Sequence, residues 1–421
     1  MTALYDRAHL RKLADGLAAA VVAALPWSTS ATYIFLGVWL VVFLISVDPE
    51  EWSPVMRYRA ATIPVLLVGF AAVGMLWAQA PWVDRWGAFA SFARLLVIPL
   101  LMVQFSRSDR AHWVFLAFAA SCTVVLALSW IMVATGMKPL SRGASHGIPV
   151  RDYIAQAQEF VLCAAGFAYL AGLRLMQRRW ALGFGLLALA LLFVANVLFV
   201  TSSRTGLVTL PALLLVLVVM QCRLRYALIF AGVIVAVSAA SLASSSLIQK
   251  RLFGIFTEIR DAQSKQIETS AGQRVEFWKA AVEIIAEAPV IGHGTGSIKQ
   301  TFAQEAARRD PRAVPTTNPH NQTLTVAVQL GMIGTALLLA MWLSHLLLFR
   351  CPGFAGWVGL AVVAQNVLSS LFNNHLFDFT QSWIYVFGVG VAGASVIRAR
   401  HETVVLERPA SPARSDRDRE S

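Results

Sequence analysis

Charge is scarce in this sequence. Only 14% of its 421 residues are Asp, Glu, Lys or Arg, against about 25% in an ordinary soluble domain. Cysteine is scarcer still. Cys122, Cys163, Cys222 and Cys351 have neither the spacing of a disulfide framework nor that of a zinc site. Clustered metal ligands are missing too. His293, His320 and His375 are scattered, and the carboxylates form no Asp-x-Asp pair. Serine and cysteine nucleophile motifs, internal repeats and low-complexity tracts are absent. The net charge of +12 comes without a basic helix or an aromatic-basic surface module, so no nucleic-acid partner is expected.

What the chain has is apolar length. Hydrophobic residues make up 57% and the mean hydropathy is +0.63. Runs of about 17–25 residues, long enough to cross a bilayer as helices, recur along it. The expected fold is an all-α polytopic integral membrane protein with about twelve spans. They fall near 13–27, 29–47, 60–78, 86–104, 111–135, 154–174, 180–200, 205–221, 224–243, 320–349, 354–372 and 381–398. The first run follows Arg7, Arg11 and Lys12 as a signal peptide would. The second follows at once across Pro26-Trp27-Ser28-Thr29, so an uncleaved helical hairpin is expected.

Basic residues set the orientation. With the N-terminus inside, the inward segments hold Arg7, Arg11, Lys12, Arg57, Arg59, Arg107, Arg110, Arg174, Arg178, Arg179, Arg223, Arg225, Arg350 and the six arginines from Arg398 onward. The short outward loops hold Arg85, Lys138, Arg142, Arg151 and Arg204. Cytoplasmic loops favour Lys and Arg, so nineteen against five places both termini in the cytoplasm. Four regions follow: spans one to nine (1–243), a large outward loop (244–319), the last three spans (320–398), and a basic, Pro/Ser-rich tail (399–421) expected to be disordered. The large loop between spans nine and ten is then expected to face outward, which in a Gram-negative cell is the periplasm.

The loop has internal pattern. Ser270-Ala271-Gly272-Gln273 reads as a capping box opening a helix over about 271–288. Val275, Trp278, Val282 and Ile285 form its apolar side, with Glu276, Lys279, Glu283 and Glu287 opposite. The run Ile291-Gly292-His293-Gly294-Thr295-Gly296-Ser297 has the glycines of a phosphate cradle. No preceding strand supports that, and a tight turn after the helix is the preferred reading.

Three residues are candidates for chemistry. Arg204 stands at the outer end of span seven, where Thr201, Ser202 and Ser203 can cap the next helix; an interfacial arginine reaching lipid phosphate is the plain alternative. Arg274 is expected in the first turn of the loop helix, where a cation opposes the helix dipole unless an anion lies between them; a solvated arginine is the alternative. His320 follows Asn318 and Pro319, a good N-cap and first helical residue. There the dipole would favour the neutral imidazole that a general base requires; a polar boundary histidine is the alternative. Topology places all three on the outer face. Arg94 lies inside span four and needs a partner, Glu159 being one candidate. Asn373-Asn374-His375 with Asp378 reads as a structural outer turn.

As an ordered set, Thr-Ser-Ser-Arg-Thr-Gly (201–206), Gly-Gln-Arg-Val-Glu-Phe-Trp-Lys-Ala-Ala (272–281), Ala-Pro-Val-Ile-Gly-His-Gly (288–294) and Asn-Pro-His-Asn-Gln-Thr-Leu (318–324), with Gly331 and Gly334, resemble the O-antigen ligase and polymerase superfamily, above all its lipopolysaccharide O-antigen ligases. The resemblance implies a GT-C-like, metal-independent, inverting glycosyltransferase without a cofactor in the bacterial inner membrane. It would move a glycan from undecaprenyl diphosphate to a sugar hydroxyl of lipid A-core on the periplasmic face. It implies Arg204 and Arg274 as catalytic, diphosphate-binding arginines and His320 as the catalytic base. O-antigen polymerases and protein O-oligosaccharyltransferases share this plan and differ in acceptor. A twelve-span transporter is the reading from another class.

Overall fold

The computed structural model describes residues 7–140, 146–201, 203–221, 223–265, 269–309 and 316–407. Among these residues every regular element is a helix. Helices α1 (Arg7–Ala24) and α2 (Thr29–Ser46) form the expected hairpin. Ser28 ends the turn between them, its hydroxyl accepting from the Ala31 N–H at 3.2 Å. A short helical piece, Pro49–Met56, then meets α3 (Arg59–Gly74) at a bend of 99°. Next come α4 (Trp82–Ser106), α5 (Ala111–Thr135), α6 (Tyr153–Met176), α7 (Trp180–Thr201), α8 (Arg204–Gln221) and α9 (Leu224–Ser244).

The polar stretch folds into α10 (Ser246–Lys265), α11 (Ser270–Glu287) and α12 (Ile298–Arg309). The chain returns to apolar helices with α13 (Gln322–Leu348), α14 (Phe354–Ser370) and α15 (Phe379–Glu407). Among the described residues eight helices are long and apolar enough to cross a membrane, the bent pair adds a ninth candidate, and α8 and α14 are shorter apolar helices. This is a multi-pass membrane protein.

Three expectations change. Helix α15 continues past Arg398 to Glu407, into the tail expected to be disordered; the rest of that tail, 408–421, lies outside the described residues, as do Arg142, Ser202 and Cys222. Arg94 does not seek Glu159. Its Nη1 donates to the carbonyls of Phe377 (3.0 Å) and Asp378 (3.2 Å), where the turn before α15 offers acceptors close to its own helix. The apolar side of α11 is rotated from the expected one. Ala280, Ala281 and Ile284 are buried with Phe277 against Phe302 and Val328, while Val282 is 59% exposed. Small residues win there because α11 packs on α13 and α12 rather than on lipid.

The glycine run settles as the preferred tight turn and goes further. The N–H groups of residues 292–297 donate to protein acceptors: Gly292 to Ala288, His293 to Val328, Gly294 to Gln329, Thr295 to Gly74, Gly296 to the Gln329 side chain and Ser297 to Gly294. This strap fills a break in α13 at Gly331 (φ 60°, ψ −156°). Gly292 rests on the backbone of Gln329, and Gly294 (φ 91°) rests on the backbone of Ala78 with no room for a Cβ. The Thr295 hydroxyl donates to the Ala71 carbonyl at 2.6 Å, and Trp77 donates to the Gly292 carbonyl at 3.2 Å. The strap thereby sews the polar segment to the end of α3, the start of α4 and the middle of α13.

Candidate active site

Local backbone chemistry places the three candidates. Arg204 is the first residue of α8. The Ser203 hydroxyl accepts from the Gly206 N–H at 3.4 Å, as the sequence reading expected of the serines there. Just before it, α7 ends in a π-helical turn, Val197–Thr201, a feature often found near functional sites. Arg204 makes a two-pronged ion pair with Glu258 of α10: Nη1 donates to Oε2 at 3.0 Å and Nη2 donates to Oε1.

Arg274 sits on α11, whose cap is Thr269 rather than Ser270. The Thr269 side chain accepts from the Gly272 N–H at 3.1 Å and donates to the Glu258 carbonyl at 2.8 Å. That second bond fixes the choice, because it also ties α11 to α10. Position N3 of the true cap is Gly272, so no capping box forms, and Arg274 opens the second turn instead of lying in the first. Burial lowers the Arg274 pKa, and the positive charge of Arg204 adds to the effect; Tyr153 and Glu258 oppose it. Since a guanidinium stays protonated in proteins, the physical content is a partly desolvated cation facing another cation.

His320 departs most from its expected setting. Helix α13 begins at Gln322 with Asn321 as its cap, the Asn321 carboxamide accepting from the Leu324 N–H at 3.0 Å. His320 therefore precedes the cap, in a left-handed conformation (φ 53°) that is uncommon outside glycine. Asn318 does not cap the helix because its oxygen is already used. It accepts from the His320 N–H and from the Asn374 side chain, both at 2.8 Å. Burial lowers the His320 pKa first and the nearby Arg274 cation second, against a hydrogen bond with Asn373. The neutral imidazole is favoured as expected, with desolvation as the main cause. Its Nδ1 is buried and has no hydrogen-bond partner.

Trp278 explains how Arg274 comes to His320. Residues four apart on a helix share a face, and the Trp278 indole donates to the Pro319 carbonyl at 3.0 Å. The bond docks that face of α11 against the corner carrying His320.

Arg204 and Arg274 line one open cavity of about 440 Å³, together with Tyr153, Arg251, Glu258 and Thr269. His320 is not in its lining. Arg274 is near enough for its charge to act on the ring, so the three candidates are neighbours without all lining the same space. A second groove of about 330 Å³ runs between α1, α5, α6, α14 and α15. Its wall is apolar except for His112 and Arg174, and it holds none of the candidate residues.

Sequence reasoning missed Arg251, Glu258, Tyr153 and Asn373. The first two lie on the amphipathic α10, where alternating charge gave no sign of which side faces inward. Tyr153 and Asn373 arrive from elements distant in sequence. The polar turn at 373–375 was noticed but read as structural alone. In the structure Asn373 also donates to the Thr205 hydroxyl (3.3 Å), and Asn374 accepts from Thr325 (2.6 Å).

Comparison with known proteins adds one finding. No curated protein matches the chain. The family model described as O-antigen ligase matches residues 188–339, a segment running from α7 into α13 and containing Arg204, Arg274 and His320. Over residues 188–339 this membrane protein is thus similar to the O-antigen ligase family.

Proposed function

We propose that the protein is an O-antigen ligase: a glycosyltransferase that moves a glycan from undecaprenyl diphosphate to a sugar hydroxyl of lipid A-core. The observation that carries the reading is one cavity lined by two arginines, with a histidine that adjoins one of them and favours its neutral form. The acceptor hydroxyl gives its proton to the His320 imidazole and its oxygen attacks the anomeric carbon. The bond from that carbon to the diphosphate oxygen breaks, and the electron pair leaves with the diphosphate. Arg204 and Arg274 meet the growing charge, with Arg251 at the rim. Guanidinium groups suit this task because their paired N–H donors match phosphate oxygens. Donors aimed at developing charge are worth about 10²–10³-fold each in rate. The attack comes from the face opposite the leaving group, so the anomeric centre inverts.

The reading carries its topology with it. The apolar runs support its twelve spans, the Lys/Arg distribution supports cytoplasmic termini and an outward-facing site, and the inner membrane comes with the family resemblance. Both substrates are lipid-borne, so the cavity must be reached from the membrane as well as from water. A polymerase or a protein O-oligosaccharyltransferase would use the same donor chemistry, and the likeness to the O-antigen ligase family favours the ligase. The test is transfer by purified protein from polyprenyl diphosphate-linked glycan to lipid A-core, in excess EDTA. His320→Ala should abolish transfer while the protein inserts normally. Full transfer by that variant overturns the base assignment, and transfer to protein instead of lipid A-core overturns the acceptor.

A further inference from the structure

Helix α6 has a different neighbour at each end. Tyr153, its first residue, lines the cavity that holds Arg204 and Arg274. Arg174, in its last turn, lines the apolar groove of about 330 Å³ between α1, α5, α6, α14 and α15. At 1.5 Å per residue the two lie about 30 Å apart, the thickness of a hydrocarbon core. From α6 the groove takes residues between Leu162 and Arg174, the half away from Tyr153. That stretch is about 18 Å long, roughly the depth of one leaflet. The groove opens to lipid, since Leu116 on its wall is 61% exposed on a helix long and apolar enough to cross a membrane. Gly166 keeps room inside it: a Cβ added there would meet nothing within 4 Å.

The groove's charged groups collect at one end. Arg174 makes no ion pair among the described residues. Its Nη1 donates to Gln177 Oε1 at 2.9 Å, and a guanidinium has five N–H donors to place. Arg178 and Arg179 follow in the exposed turn after α6, and no carboxylate occurs between Glu159 and Glu258 in sequence. His112 shares that end of the groove. Its Nδ1 donates to the Asp109 carbonyl at 2.9 Å, while the Asp109 carboxylate faces Arg110 at 4.0 Å. An apolar slot one leaflet deep, with cations at its mouth, has the shape and charge of a bound lipid reversed in sign.

We propose that this groove binds a phospholipid with an anionic headgroup, one acyl chain lying along Gly166 and the phosphate on Arg174. The polyprenyl donor does not fit the same place. Its diphosphate belongs with Arg204 and Arg274, at the other end of α6, so the groove presents its cation to the wrong side of the membrane for it. A lipid with its phosphate at Arg174 comes from the opposite leaflet, the one that the Lys/Arg distribution places inward. The inference goes beyond the transferase reading and holds whatever reaction the cavity serves.

Native mass spectrometry of the full chain in detergent tests this, with phosphatidylglycerol and phosphatidylcholine of identical acyl chains titrated in turn. Phosphatidylglycerol should bind more tightly than phosphatidylcholine. Arg174→Gln should weaken phosphatidylglycerol about fivefold, the worth of one arginine beside an anionic headgroup, and leave phosphatidylcholine unchanged. Gly166→Leu fills the groove and should weaken both. Equal binding of the two lipids by the wild type, or unchanged phosphatidylglycerol binding by Arg174→Gln, overturns the proposal. Undecaprenyl diphosphate, titrated in the same way, should bind both variants as it binds the wild type. Its loss in parallel with phosphatidylglycerol would make the groove the donor's and also overturn the proposal. If it binds none of the three proteins while the phospholipid pattern holds, the transferase reading fails and the lipid site stands. Should Gly166→Leu not fold, the Arg174→Gln comparison alone decides.

Discussion

Two regions of this protein present groups that ordinarily bind phosphate, and they end differently. The strap at 289–297 has the glycines and backbone N–H groups of an anion cradle. The cavity over α8 has arginines. In the strap the N–H groups of residues 292–297 are all consumed by protein acceptors, so none is left for a ligand. In the cavity the donors are side chains: Arg204 shared with one carboxylate, Arg274 partly desolvated beside another cation. Glycine-rich sequence is thus no guide to phosphate binding by itself. What decides is whether the fold spends the donors internally.

The sharpest way to break this comparison is to disturb the strap. Gly294→Ala puts a Cβ 2.5 Å from the Ala78 backbone at φ 91°. Strain at a left-handed position and overpacking each cost about 1–3 kcal/mol. Thermal unfolding of the detergent-solubilised protein should therefore fall clearly, with activity lost only in proportion to folded protein. If Gly294→Ala were stable but unable to bind donor, the strap would be a phosphate site after all.

The cavity should behave in the opposite way. Arg274→Gln should leave thermal unfolding nearly unchanged and lower transfer about 10²-fold or more. It should also move the acid limb of the pH profile upward, because one cause depressing the His320 pKa is gone. A smaller effect is expected from Glu258→Gln. The Arg204–Glu258 pair is more than a quarter exposed on both sides, so losing it costs little stability. An anionic donor no longer competes with that carboxylate, and its KM should fall by a few-fold. A rise in KM would mean that Glu258 orients Arg204 rather than blocking it.

The sequence is a good guide to what repeats and a poor one to what folds back. Apolar runs mark helices because burial in lipid demands an internal partner for every backbone group, and each expected span coincides with a helix. Arg204 and Arg274 were found because their motifs are local. The caps slipped by one residue at Thr269 and by three at Asn321, since a distant partner decided each: the Glu258 carbonyl holds Thr269 at the cap, and Asn374 takes the Asn318 oxygen. Asn373 and Arg251 were beyond reach for a related reason. Their importance lies wholly in partners from other helices, and no periodicity encodes such a meeting. The rotated face of α11 makes the same point through packing, with alanines buried and Val282 left outside.

The strap also has a consequence in time. The Ala71 carbonyl receives a hydrogen bond from Thr295, 224 residues later in the chain, and the Gly74 carbonyl is closed by the N–H of that same threonine. As the chain is made from its N-terminus, the end of α3 stands with these acceptors open through more than half of synthesis. Contacts so distant in sequence form late and slowly. The seam between the first helices and the polar segment is therefore a late stitch of assembly, and a chain truncated before residue 295 would contain α3 but not what completes it.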